Sequence, residues 1–239
     1  MTKILKVNGI SCRGRERSKN EDSICIGGAI DQHGRPIVEE YDVTCREAII
    51  LLADGMGGHD SGEVASLETV TLISDDFFRE QKKFDLINSI NRCHYFLRGL
   101  SSDSTSTTNL GTTIVGIKFS SKSIQWFNVG DSRGYLFRDG QLMQLTTDDS
   151  LSNPRYAGIL TQCLGGNQPN APKPHNGTDE LLKGDIFLLV SDGVTDVVDD
   201  IKIANFFKSG GGFLAADLVA VANHNGSTDD TSAIICEVC

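Results

Sequence analysis

The apolar residues of this chain come mostly in short runs, and no other feature constrains its fold as strongly. Residues 23–26, 48–53, 113–119, 124–129, 135–137, 186–190 and 233–236 read as strands, being short, apolar and bounded by turn residues. Asp139-Gly140 lies between 135–137 and the alternating stretch 141–145. Both residues tolerate positive φ, so the spacing predicts an antiparallel hairpin. Helical periodicity appears in Val64, Leu67, Val70, Ile73 and Phe77, with Asp60 and Glu63 offering a capping box at its start. A second helix is predicted at 85–97, and two more at 201–207 and 213–222, parted by Gly210, Gly211 and Gly212. Helices thus come in two pairs between strand-rich stretches, an α+β layout.

Residues 101–108, dominated by serine and threonine, and 167–177, rich in proline and asparagine, read as loops and not as domain linkers. No internal repeat is present. With 239 residues, 39% of them hydrophobic, one domain spanning 1–239 is the expectation. The formal charge of −10, without a basic stripe, would repel a phosphate backbone and disfavours nucleic-acid partners. Gathered carboxylates instead attract hard cations. The N-terminal apolar stretch is broken by Asn8 and reaches Arg13 before a signal-peptide core forms, and no membrane-spanning run follows. Seven irregularly spaced cysteines fit a reducing compartment, so the expected location is cytoplasmic. Cys236 and Cys239 have Cys-x-x-Cys spacing without a second pair and read as small residues of a final strand.

Two segments share one grammar: the run 48–53 leads into Asp54-Gly55, and the run 185–191 leads into Asp192-Gly193. Asp-Gly alone is a common turn. Asp54, however, is followed by Met56, Gly57, Gly58 and His59, more glycine than a turn requires, which suits a backbone approaching a ligand closely. Asp192 is followed by a helical turn and not by a returning strand. Glu21 and Asp22 open a strand, Asp131 follows Asn128-Val129-Gly130, and Asp229-Asp230 precede the last strand. If these carboxylates converge, they need either solvent or cations between them, and oxygen-only ligands favour magnesium or manganese over zinc. Arg17, four residues before Glu21, is either a solvated surface arginine or a guanidinium that holds a phosphate through two hydrogen bonds.

These strings, in this order, resemble the metal-dependent protein serine/threonine phosphatases of the PPM, or type 2C, family. The resemblance rests on Arg17-Ser18-Lys19-Asn20-Glu21-Asp22; on the stretch from Ala53 to His59 with Gly62-Glu63; on Gly111-Thr112-Thr113; and on Asn128-Val129-Gly130-Asp131-Ser132-Arg133 with Arg138-Asp139-Gly140. It continues through Leu145-Thr146 with Asp148 and Ser150, Leu160-Thr161-Gln162 with Leu164-Gly165, Ser191-Asp192-Gly193, and Asp229-Asp230-Thr231-Ser232. The family implies two packed antiparallel sheets flanked by helix pairs in an α-β-β-α arrangement. It implies that Asp54 bridges two manganese or magnesium ions, completed by the Gly55 carbonyl, Asp192 and Asp229, with Glu21 and Asp22 holding their waters. Asp131 matches the position that, with Asp192, binds a third cation in many bacterial members, and Arg17 matches the phosphate-binding arginine. A water activated between the two cations would then attack phosphorus in line, with Arg17, Asp54 and Asp192 central to catalysis.

By this resemblance the substrate is a phosphorylated protein, the opposing activity a serine/threonine kinase in bacterial signalling, and the chain a monomer without membrane or nucleic-acid partners. A silent binding module of the same fold and a hydrolase of small phosphoesters are the competing readings, although the core aspartates are all present. Three departures stand out. Met56 replaces the histidine acid of some animal members, and His59 reads as a structural group. Only 151–159 remain where the family carries a flap of some tens of residues. Asp230 stands where asparagine is usual.

Overall fold

The structure, a computed structural model, describes residues 2–56, 62–80, 83–103, 110–151, 158–210 and 214–239. Strands β1 (Ile4–Cys12), β2 (Asp22–Ile26), β3 (Ala29–Asp31), β4 (Ile37–Asp42) and β5 (Ala48–Met56) precede the helix pair α1 (Gly62–Glu80) and α2 (Leu86–Asp103). Then come β6 (Gly111–Thr112), β7 (Ile114–Phe119), β8 (Ser123–Val129), β9 (Arg133–Arg138), β10 (Gln141–Gln144), β11 (Leu164–Gly165), β12 (His175–Glu180) and β13 (Ile186–Val190). Helices α3 (Asp192–Thr195), α4 (Asp200–Lys208) and α5 (Ala215–His224) lead to the last strand, β14 (Thr231–Val238).

One sheet has the order β10-β9-β13-β14-β1-β4; the other runs β11-β6-β5-β7-β8-β12, with β2 and β3 added beside β5. Neighbouring strands pair antiparallel, as in β1 with β14 and β2 with β5. Side chains alternate between faces along each strand, so a strand covered on both sides is apolar throughout. In β5, Ile50 and Leu52 join Leu5, Val7, Phe187 and Ile234 in the layer between the sheets. Ile49 and Leu51 face the other way and pack with Val70, Ile73 and Phe77 of α1 and Ile90 and Leu97 of α2. Likewise Leu188 and Val190 of β13 meet Ile203 and Phe207 of α4 and Leu218 and Ala222 of α5. This is the expected α-β-β-α layering, and truncating a ring as buried as Phe77 would cost about 3–5 kcal/mol.

The hairpin forms as predicted: β9 and β10 pair across Asp139 and Gly140, whose φ values are 52° and 77°, the doubly positive pattern of a type I′ turn. Several elements escaped the sequence reading. In β1 the inward positions include Gly9 and Ser11, so its apolar pattern fades; a Cβ on Gly9 would come within 2.8 Å of Ile26. Strand β12 starts at His175, inside the predicted 167–177 loop, and its six residues are all polar or glycine, which removes the apolar signal. Helix α2 runs past 97 to Asp103, with the Ser101 hydroxyl bonded back to the Leu97 carbonyl at 3.2 Å, so the helix absorbs the start of the predicted 101–108 loop. Residues 104–108, the Asp60 half of the capping box, His59, and Gly211, Gly212 and Phe213 lie outside the described residues. Among the described residues, no helix is long and apolar enough to cross a membrane.

Candidate active site

Asp54 and Asp22 face each other across the β5–β2 pairing. Strand β5 continues through Gly55 to Met56, so this Asp-Gly pair is no turn. Its glycine makes room instead: a Cβ on Gly55 would fall 2.0 Å from the Gly62 carbonyl oxygen and 2.6 Å from that of Glu21. The Gly55 N–H donates to the Glu21 carbonyl at 2.9 Å. Gly193 plays the matching part in the second motif, since a Cβ there would stand 2.0 Å from the Asp230 carbonyl oxygen. Each Asp-Gly pair thus admits a chain segment that carries further acidic residues.

Threonines fix the backbone of Asp54. Its N–H donates to the Thr113 hydroxyl at 3.0 Å, while the Thr113 N–H and the Thr112 hydroxyl both donate to its carbonyl at 2.8 Å. Thr113 in turn shares a 2.8 Å hydrogen bond with Ser132, the residue after Asp131. Asp192 opens α3 at the end of β13, and Asp229 and Asp230 lie just ahead of β14, which pairs with β13.

The resulting electrostatics are adverse. Both carboxylate oxygens of Asp22 and one of Asp192 are buried without a hydrogen-bond partner. Burial pushes the Asp22 carboxyl up to about 8; the nearby Ser232 and Ser191 hydroxyls oppose the shift, and the charges of Asp230 and Asp192 add to it. Burial likewise drives Asp54 well above the usual carboxylate range, with Asp22, Asp192 and Asp131 reinforcing it. Asp131 rises to about 7, through burial first and then Asp192, and burial also raises Asp192. Glu21 is raised by burial against the pull of Arg17. Carboxylates this crowded and this poorly hydrogen-bonded must either hold protons or share a positive charge. An all-oxygen set of this kind fits magnesium or manganese.

Arg17 answers part of that demand, since its guanidinium makes two parallel hydrogen bonds to Asp229 and lies 3.6 Å from Glu21. Among the described residues no group of three or more acidic, histidine or cysteine side chains is placed closely enough to hold a metal ion. Asp131 lies with Asp192 in a cavity of about 290 Å³ that is also lined by Arg133, Asp148, Thr195 and Asp196. There Arg133 clamps Asp148 through bonds of 2.7 to 3.1 Å. Below it the chain leaves and rejoins at neighbouring points: the Leu151 N–H donates to the Ile159 carbonyl at 3.0 Å, and Ser150 bridges Leu160. Residues 152–157 of this short segment lie outside the described residues.

Two residues gain weight that sequence reasoning did not give them. Asp230 is buried and accepts the Gly14 and Glu21 N–H groups, both at 2.7 Å, which anchors the two ends of the segment carrying Arg17. Asp196 sits one turn after Asp192 in the same cavity; its i, i+4 spacing on a short helix was the available signal.

A double sheet with helix pairs outside and an acidic cluster at strand ends defines a phosphatase-type architecture, and the chain belongs to the protein phosphatase 2C family, whose sequence profile matches residues 39–217. The serine/threonine phosphatase Stp of Listeria welshimeri serovar 6b is 30% identical, over 94% of this chain and 92% of that protein. The serine/threonine protein phosphatase PstP of Mycobacterium tuberculosis is 27% identical over 100% of this chain, which spans 46% of the length of that relative. Among solved structures, the S. agalactiae serine/threonine phosphatase superposes with a TM-score of 0.80 at 28% identity, covering 98% of this chain and 99% of that one. The catalytic domain of PstP in complex with two manganese ions gives a TM-score of 0.76 at 26% identity, with 99% of each chain covered.

Proposed function

We propose that this chain is a metal-dependent phosphatase acting on phosphoserine and phosphothreonine in proteins. The observation that carries the reading is the set of buried, unpartnered oxygens on Asp22 and Asp192, crowded against Asp54 beside an exposed-edge arginine. The named activities of the Listeria, mycobacterial and streptococcal relatives support it.

In this reading Asp54, the Gly55 carbonyl, Asp192 and Asp229 hold two manganese or magnesium ions, and Glu21 and Asp22 orient water around them. Divalent cations bound there supply Lewis acidity and a water acidic enough to react near neutral pH. Arg17, whose side chain is 43% exposed, offers its fork to the phosphoryl oxygens of an incoming substrate. Thr112 and Thr113 keep Asp54 from yielding as charge builds up beside it. Met56 follows Gly55 where an imidazole acid would stand, so Asp131 and Asp192, the residues that would hold a third cation, would orient the water that supplies a proton to the leaving serine or threonine oxygen. The chain would work as a cytoplasmic monomer against a serine/threonine kinase.

The test is phosphate release from a phosphothreonine peptide by the pure protein with manganese, with magnesium and with excess chelator. Release that needs metal and saturates with the peptide is the expected result; well-folded protein that releases nothing with either ion overturns the proposal.

A further inference from the structure

Asp148 and Asp149 are neighbours in sequence with opposite surroundings. Asp148 faces the cavity and Arg133, whereas Asp149 is buried, 6% exposed, and its carboxylate joins three separate segments. Its Oδ2 accepts the Gly130 N–H at 3.0 Å. Its Oδ1 accepts Gln162 Nε2 at 2.8 Å and lies 2.9 Å from His175 Nε2. Backbone bonds follow the same lines: the Asp149 N–H donates to the Gly130 carbonyl at 3.0 Å, and the Thr161 N–H to the Asp149 carbonyl at 2.7 Å.

Gly130 is the residue before Asp131, and it adopts a φ of 102° that few other residues tolerate. On its far side it packs on Thr113, where an added Cβ would come within 2.6 Å of the threonine methyl. The turn that carries Asp131 is therefore wedged between Thr113, which holds Asp54, and Asp149, which is held in turn by Gln162 at the foot of the 151–159 segment and by His175 on β12. His175 itself lies opposite Asn128 in the β12–β8 register, and Asn128 donates to the Gly130 carbonyl at 3.2 Å and to that of Thr147 at 2.7 Å.

From this geometry we infer that the Asp149–His175 pair is a positioning device for Asp131: it sets the place of that carboxylate from the edge of the sheet and ties it to the base of the short segment. The inference rests on Asp131 being a cation ligand. It assigns to His175, a residue outside the acidic cavity, control over how tightly that one cation binds, with the Asp54 sites left untouched.

Manganese binding by the full chain, followed by electron paramagnetic resonance of the free ion, separates the two levels. Asp131→Ala should lose one weakly held ion relative to the unaltered chain. His175→Leu and Asp149→Asn should weaken that same ion about tenfold, the scale for groups that orient a ligand from behind. His175→Gln, whose amide donates from nearly the position of Nε2, should restore it. The tighter ions should bind as before in all four variants. If Asp131→Ala binds as many ions as the unaltered chain, the assignment of Asp131 falls and the inference with it. Should Asp131→Ala lose the ion while His175→Leu and Asp149→Asn bind it unchanged, the assignment stands and the positioning role is overturned. Equal weakening by His175→Gln and His175→Leu also overturns it. A melt in chelator accompanies each variant, and Asp149→Asn, which keeps the side-chain volume, carries the test if leucine at 175 unfolds the edge.

Discussion

Arg17 and Asp229, 212 positions apart, are joined by a forked contact: Nε to Oδ1 at 2.7 Å and Nη2 to Oδ2 at 2.5 Å. The same carboxylate is assigned to a cation and the same guanidinium to a phosphoryl group, so each is held by the other until its assigned partner arrives. Arg17→Ala should raise KM for a phosphothreonine peptide about ten- to a hundredfold, the range for hydrogen bonds to a charged group, with a smaller effect on kcat. Steady-state kinetics at saturating manganese decide it; an unchanged KM removes Arg17 from substrate binding.

Asp192→Ala should lower turnover by at least about a thousandfold, because several kcal/mol of cation-derived stabilisation depend on that ligand. The fold should survive, since the change deletes a buried oxygen that lacks a partner. The melting temperature in chelator should stay level or rise. Turnover at the unaltered rate would refute the site assignment.

Acidity supplies a third check. The Asp22 carboxyl is raised in the folded chain to about 8 from an ordinary 3.8. The folded state therefore binds this proton more tightly than the unfolded state does. The stability it contributes is fully present below about pH 4 and is lost as pH rises towards about 8. In chelator, thermal melts should show the protein less stable at pH 8 than at pH 6 from this group, and Asp22→Asn should flatten the difference. A slope unchanged by that substitution would show that Asp22 is not its source.

Asp230 offers a fourth. Replacing it with alanine leaves the Gly14 and Glu21 N–H groups without their acceptor, at a cost of about 1–3 kcal/mol. Denaturant midpoints should fall accordingly, and KM should rise because the segment bearing Arg17 is released at both ends. A variant as stable as the parent, with unchanged KM, would return Asp230 to the minor standing its sequence suggests.

What was legible in the chain was whatever one local pattern could express. The runs in β5 and β13 read as strands because helices cover one face and the opposite sheet the other, leaving no polar position to interrupt them. Asp139-Gly140 announced its turn through backbone conformation alone. By contrast, Asp22 opposite Asp54 is a matter of register, and the Arg17–Asp229 contact is one of tertiary packing; neither leaves a trace in spacing. Strand β12 was invisible because an edge strand of His, Asn, Gly, Thr, Asp and Glu carries no apolar alternation. Asp148 and Asp149 show the limit most plainly, since two identical neighbours point to opposite environments.

Strand β14 bears on how the molecule comes to be finished. It lies between β1 and β13, and the residues just before it complete the acidic cluster. Pairing β14 with β1 closes a loop that takes in nearly the whole chain, and contacts of such high sequence separation carry a large loop-closure cost and are slow to form. The β2–β5 pairing sets Asp22 opposite Asp54, but until β14 is in place Asp229 is not held beside them and the four carboxylates have no joint claim on a cation. Full metal affinity is then a property of the completed sheet and not of any local segment. Ions that bind the native state alone draw the equilibrium towards it by mass action, so the same cations assigned to hydrolysis would also hold the completed fold together.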